Sequence, residues 1–253
     1  MNKILFSLLF TLFFAVEVCF GASTSTCYDT ADTVFMLHFD GSDTSTTFTD
    51  ELGKTWTANG NAQLTTTSPK FGTAAGTFDG TGDYISTPDD ASFDLSGDFT
   101  LEFWILTTDD TSFQELFGSS LGTTDYLDLY YDRGGGGQYI YDMEGTSVFS
   151  GAWNLVNSTW HHVAIVKNGS NVTFYFDGVA SAASPHTNSS TQALDGSVWI
   201  GKTNDALGQW LGKIDEARLV KTAVWTAGFT PPTSAYTACS TSSPSKLALL
   251  GVG

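Results

Sequence analysis

Paired carboxylates are the first residues here that could do chemistry. The chain places acids together at Asp89–Asp90, Asp109–Asp110 and Asp215–Glu216, and near each other at Asp98 and Glu102. Cleavage of a glycosidic bond with retention needs two carboxyl groups about 5 Å apart. Along one face of a strand, i and i+2 lie about 7 Å apart and i and i+4 about 13 Å. Asp98 and Glu102 are therefore too distant. Adjacent acids point to opposite sides of a strand or fall in loops. No Glu-x-Asp-x-Glu spacing occurs. The acids thus argue against an enzyme.

The other reactive residues carry less. His161 and His162 are neighbours in a strand-like run, so their side chains point apart and cannot share a metal. His38 stands alone, and no zinc spacing exists. A structural histidine held by a hydrogen bond is the reading for each. Cys27 and Cys239 bracket most of the chain. In an oxidising compartment they are expected to pair, a closure that contributes at most about 4–5 kcal/mol.

The N-terminal segment points to such a compartment. Lys3 precedes an apolar run from Ile4 to Val16, and small residues follow at Cys19, Gly21 and Ala22. Residues 1–22 read as a cleaved secretory signal peptide. The run is short for a membrane span of about 20 residues, and Glu17 follows it. Removing this segment takes away one positive and one negative charge, so the formal net charge stays at −17. So acidic a surface excludes nucleic acid and anionic membranes as partners. It suits solubility outside the cell, and also calcium, which takes oxygen ligands.

The elements that must position these residues read as strands. Phe99, Leu101, Phe103 and Ile105 alternate with Thr100, Glu102 and Trp104, a period-2 pattern. Tyr126, Asp128 and Tyr130 alternate with Leu127, Leu129 and Tyr131. Asn168-Gly169 and Asp177-Gly178 supply hairpin and turn signals, and Gly134–Gly137 a glycine turn. In the stretch from Gly212 to Val220, Asp215, Ala217 and Leu219 are expected on one face, with Ile214, Glu216, Arg218 and Val220 on the other. An Asp beside Ala and Leu is anomalous, because a carboxylate near a core needs hydrogen-bond donors or a metal. The only helical signal is a turn around Ala223–Thr226. Many short strands with frequent turns make an antiparallel sandwich.

Several strings resemble laminin G-like, concanavalin A-like jelly-roll domains, over about residues 30–237. They are Phe78-Asp79-Gly80-Thr81-Gly82-Asp83-Tyr84-Ile85, the run Asp98–Trp104, the hairpin Trp160–Ser170, and Gly212–Leu219 followed by Phe229-Thr230-Pro231-Pro232 and Tyr236. The resemblance implies an all-β, two-sheet jelly-roll β-sandwich spanning 23–239, after the signal peptide and before a Ser-rich tail or linker at 240–253. It implies calcium (Ca2+) as the candidate cofactor, at Asp40 and Asp215, with carbonyls of the Gly80–Gly82 bend as further ligands. The alternative is that both Asp cap turns by accepting backbone N–H groups.

The resemblance also implies recognition of sugars. Sugar faces stack on aromatic rings, and sugar hydroxyls need carboxylate or amide partners. Tyr126, Asp128, Tyr130, Trp153 and Trp210 supply both, unless they merely cover the sandwich. Trp104, Trp160 and Trp199 read as packing. Asn157, Asn168, Asn171 and Asn188 begin glycan-acceptor sequons, relevant only in a eukaryotic host. The expected protein is a secreted, non-catalytic module whose partner is a glycan or extracellular glycoprotein. The competing expectations are a structural or adhesive module and a glycoside hydrolase.

Overall fold

The structure, a computed structural model, describes residues 23–239 apart from 110–112, 120–125, 133–136, 144–145, 153–154, 190–191, 195 and 204–207. The expected leader and tail lie outside the described residues, as do Trp153 and most of the Gly134–Gly137 turn.

Two antiparallel sheets face each other. One runs, in spatial order, Val179–Ala180, Asn171–Phe176, His161–Asn168, Phe99–Thr107, Leu211–Val220, Ala75–Asp79 and Gln63–Thr65. The other runs Thr146–Ala152, Gln138–Met143, Leu127–Asp132, Gln114–Ser119, Val198–Ile200, Tyr84–Thr87, Thr55–Asn59 and Phe48–Thr49. The described residues contain no α-helix. A 3-10 turn spans Ala91–Phe93, and 223–226 is irregular rather than a helical turn.

Alternation explains the core. Phe99, Leu101, Phe103 and Ile105 are fully buried between the sheets with Leu127, Leu129 and Tyr131 of the opposite layer. Phe117 bridges them, 6.0 Å from the Phe103 ring and 6.4 Å from Phe35. Each such side chain contributes about 1.5–3 kcal/mol by leaving water. Thr100, Glu102 and Trp104 point away from this core yet are also buried: residues after Val220 fold back across Thr100 and Glu102, and Lys70 and Phe71 pack on the Trp104 ring. Thr100 donates to the Thr222 carbonyl at 2.8 Å, and Trp225 Nε1 donates to Glu102 at 2.7 Å.

The Leu211–Val220 strand corrects the expected face of Asp215. Ile214, Ala217 and Leu219 all lie in the core, which strict alternation forbids. A bulge at Asp215–Glu216 makes this possible. Pairing with Phe99–Thr107 shifts register between Asp215 and Arg218. Glu216 takes φ 51, and its N–H donates to Asp215 Oδ1 at 2.9 Å. The extra residue turns Asp215 away from the core. It also divides the strand's other edge, where Ala75–Asp79 pairs up to Ile214 and Thr33–Leu37 pairs from Ala217 onward.

Both ends of the described chain are tied here. Cys27–Tyr28 runs parallel to Thr237–Ala238. Cys27 and Cys239 form a disulfide with their Cα atoms 5.0 Å apart.

Candidate functional site

The outer face of the second sheet gathers polar and aromatic groups. Strand pairing puts Thr57 beside Ser86, Ser86 beside Trp199, and Trp199 beside Gly118. On the adjoining strands Asp128 pairs with Asp142. Val198 and Ile200 are buried, which drives Trp199 between them outward, where it is half-buried. The Tyr84 ring meets it edge-on at 6.4 Å. The Lys202 ammonium lies 4.4 Å from the Trp199 ring centre and 4.8 Å from that of Tyr84. Asn59 donates its amide to Ser86 Oγ at 3.1 Å along the same patch.

The expected sugar residues separate. Tyr126 and Tyr130 are half-buried on this face: Tyr126 donates its hydroxyl to Asp142 at 3.0 Å, and Tyr130 stacks on Phe113 at 4.8 Å. Phe113 borders a rim cavity of about 250 Å³, shared with Asp79, Thr81, Asp109 and Gln209. Asp128 points the same way but is buried. A Cβ on Gly118 would meet both Asp128 Oδ1 and the Thr203 Cα at 2.6 Å, so the chain at 202–203 crosses closely above the glycine. Glu115 accepts the Thr203 N–H at 3.1 Å beneath the same crossing. Trp210 is fully buried in the core and donates Nε1 to the Lys213 carbonyl at 3.3 Å. It cannot stack on a ligand, which corrects its expected role.

Asp40 and Asp215 lie elsewhere but converge on one loop. Asp215 Oδ2 accepts the N–H of Lys70 at 2.8 Å and of Phe71 at 3.1 Å. Asp40 Oδ1 accepts from the Thr73 N–H, the Thr73 hydroxyl at 2.9 Å and the Ala74 N–H at 3.4 Å. Gly72 sits at φ 58, and a Cβ there would come within 2.2 Å of Asp40 Oδ1. Burial pushes the Asp215 carboxyl up to about 8, against the pull of the Phe71 and Lys70 amides. The Gly80–Gly82 bend is not part of this cluster. It closes the far end of Ala75–Asp79, about 20 Å along the chain from Ala74, where the Gly82 N–H donates to Gln209 Oε1. Among the described residues no group of three His, Cys, Asp or Glu could hold a metal.

The comparisons fit this architecture. The model of the concanavalin A-like lectin/glucanases superfamily, of laminin G type, matches residues 78–227, more than half of the chain. The chain belongs to this superfamily. A search of curated proteins returns no match. Similar solved structures include domain 4 of a GH43 extracellular arabinanase from Geobacillus stearothermophilus in complex with arabinotriose (20% identity, TM-score 0.57, covering 76% of this chain and 93% of that one). The binding domain of Paraclostridial mosquitocidal protein 1 is 15% identical, with TM-score 0.58 over 77% of this chain and 50% of that one. Trypanosoma rangeli sialidase in complex with sialic acid is 18% identical, with TM-score 0.57 over 80% of this chain. The chain spans 34% of that sialidase. At these identities the likeness is one of fold.

Within this concanavalin A-like sandwich, the other reactive residues are held structurally. Glu102 is ion-paired with Arg218, and Asp98 accepts the Gly169 N–H at 2.7 Å, so these two acids do not form a pair. His161 meets Asp177 at 2.8 Å, His162 meets Glu102 at 3.1 Å and His38 meets Glu216 at 2.8 Å. Trp199, expected to be packing, and Tyr84, not among the expected sugar residues, are the outward, half-buried rings of this face. The signal for Trp199 was there: a ring between two aliphatic residues of a strand whose neighbours must face inward.

Proposed function

We propose that this protein is a secreted, non-catalytic module that binds carbohydrate, on the outer face of the sheet that contains Tyr84–Thr87 and Val198–Ile200. The observation that carries the reading is the Tyr84–Trp199 pair, outward and partly exposed, set among Asn59, Ser86 and Lys202. A ring face offers the apolar surface of a sugar its partner, and amide and hydroxyl groups beside it meet sugar hydroxyls. Tyr126, Tyr130 and Phe113 extend the surface toward the rim. Two of the similar structures are complexes with sugars, arabinotriose and sialic acid, which supports the same reading by analogy of fold. No helix among the described residues is long and apolar enough to cross a membrane.

Calcium is part of the proposal. Asp40 and Asp215 would hold it, and it would add positive charge beside a carboxyl that burial disfavours in its ionised form. The ion would order the 70–74 loop. Most of its six to eight oxygens would have to come from backbone carbonyls and water.

The test is a glycan array probed with the wild type and with Trp199→Ala, with calcium and with chelator. Binding of a defined sugar class by the wild type, lost in the variant, supports the reading. No binding to any glycan in either condition rejects it in favour of an adhesive role. A second reading, hydrolysis, rests on one observation. Asp128 and Asp142 face each other across paired strands, with Cβ atoms roughly 5 Å apart. Release of reducing sugar from β-glucans or arabinan, abolished by Asp142→Asn, would establish it.

A further inference from the structure

We infer a second saccharide site on the opposite side of the sandwich, independent of the Trp199 surface. It lies on the outer face of the Phe99–Thr107 sheet, in a cavity beside the hairpin His161–Asn168 and Asn171–Phe176. The cavity holds about 280 Å³, equivalent to about nine waters at ~30 Å³ each. That is room for one or two sugar rings, not for a long chain.

Its lining is neutral. In a protein of net charge −17 no residue lining this cavity is charged. Asn168, Asn171, Thr173 and Ser184 supply amides and hydroxyls, and Tyr175 and Trp225 supply ring surface. An anion or cation would find no counter-charge there. A neutral ligand that presents hydroxyls and a flat apolar side is matched on both counts.

The walls are set before any ligand arrives. The Trp225 ring stacks on Phe229 at 3.7 Å and 10°, and its Nε1 is held by Glu102 at 2.7 Å. The Tyr175 hydroxyl reaches the Trp225 carbonyl at 3.5 Å. Ser184 Oγ accepts the Phe174 N–H at 3.0 Å, which leaves its hydroxyl hydrogen to donate. The Asn168 and Asn171 side chains stand exposed at the rim. A rigid wall with free donors at the mouth lowers the ordering cost of binding.

The experiment is NMR titration of the full-length secreted chain with glucose, galactose, arabinotriose and chitotriose. At least one of these sugars should shift the side-chain amides of Asn168 and Asn171. The shifts should persist in Trp199→Ala and weaken about tenfold or more in Asn171→Trp, whose ring fills the mouth. Asn168→Trp, from the other rim, repeats the test should the first variant misfold. The inference is overturned by any of three results: no sugar in the panel moves these amides, folded rim variants bind unchanged, or the shifts vanish in Trp199→Ala. The array result for the Trp199 surface stands or falls separately.

Discussion

Glu102 and Arg218 form a fully buried ion pair, with Arg218 Nε 2.5 Å from Glu102 Oε1, on the face of their sheet that points away from the core. Around it the chain closes on itself. Arg218 donates to the carbonyls of Cys27 at 3.1 Å and Thr24 at 2.9 Å, and lies 3.7 Å from the Tyr236 ring centre. Trp225 and His162 are further partners of the carboxylate. One pair thus anchors the first strand, the crossing segment after Val220 and the last segment. Removing one partner leaves a buried charge alone. Arg218→Met should cost about 3–5 kcal/mol, read as a lowered urea midpoint. A loss below 1 kcal/mol would show the pair is not needed.

Acid should act through the same pair. Burial alone would raise the Glu102 pKa, but the Arg218 charge, together with His162 and the Trp225 N–H, outweighs it and holds the carboxyl at about 2, below its usual 4.5. A depressed carboxylate pKa stabilises the fold above the unfolded value, and that contribution is lost as pH falls from about 4.5 toward 2. Melting temperature followed across this window should drop more steeply in the wild type than in Glu102→Gln, already destabilised at neutral pH. Parallel curves would contradict the assignment.

His38 gives the opposite sign. Burial lowers its pKa, but the Glu216 carboxylate at 2.8 Å prevails and raises it above 6.5. Its contribution is complete below pH 6.5 and fades as pH rises through the shifted value. His38→Gln should remove this alkaline loss, at a cost of about 1 kcal/mol at pH 6. NMR titration of the His38 ring is the direct check, and a pKa below 6.5 would refute the direction.

Asp215 offers the test of calcium. With its carboxyl pushed up to about 8 by burial, the ionised form is disfavoured at neutral pH in the absence of a cation. Excess calcium over chelator should raise the melting temperature by several degrees at pH 7.5, and Asp215→Asn should abolish the rise. An unchanged transition with and without chelator removes calcium from the account.

Much of the fold could be read from alternation. Phe99 to Ile105 and Leu127 to Tyr131 bury the side chains their spacing assigns inward, because a period of two has only two faces to choose between. The Cys27–Cys239 bridge followed from the two cysteines of the 23–239 domain. The Asp215 face was not readable, since a bulge inserts one residue with no glycine or proline to mark it, and Glu216 bears the left-handed φ itself. Asp128 and Trp210 show the same limit in the site. Alternation turned Asp128 outward correctly, but a crossing at 202–203, remote in sequence, buries it. Trp210 lies between Gln209 and Leu211, and nothing local distinguishes a ring that fills the core from one that meets a ligand.

A crystal structure of the protein with the best sugar from the array tests the central claim most directly. A sugar ring should lie against Trp199 and Tyr84, with hydroxyls toward Asn59 and Ser86 and the Lys202 side chain moved aside to admit it. Saturating sugar bound elsewhere, with the Trp199 surface bare and Lys202 still over the ring, would contradict it.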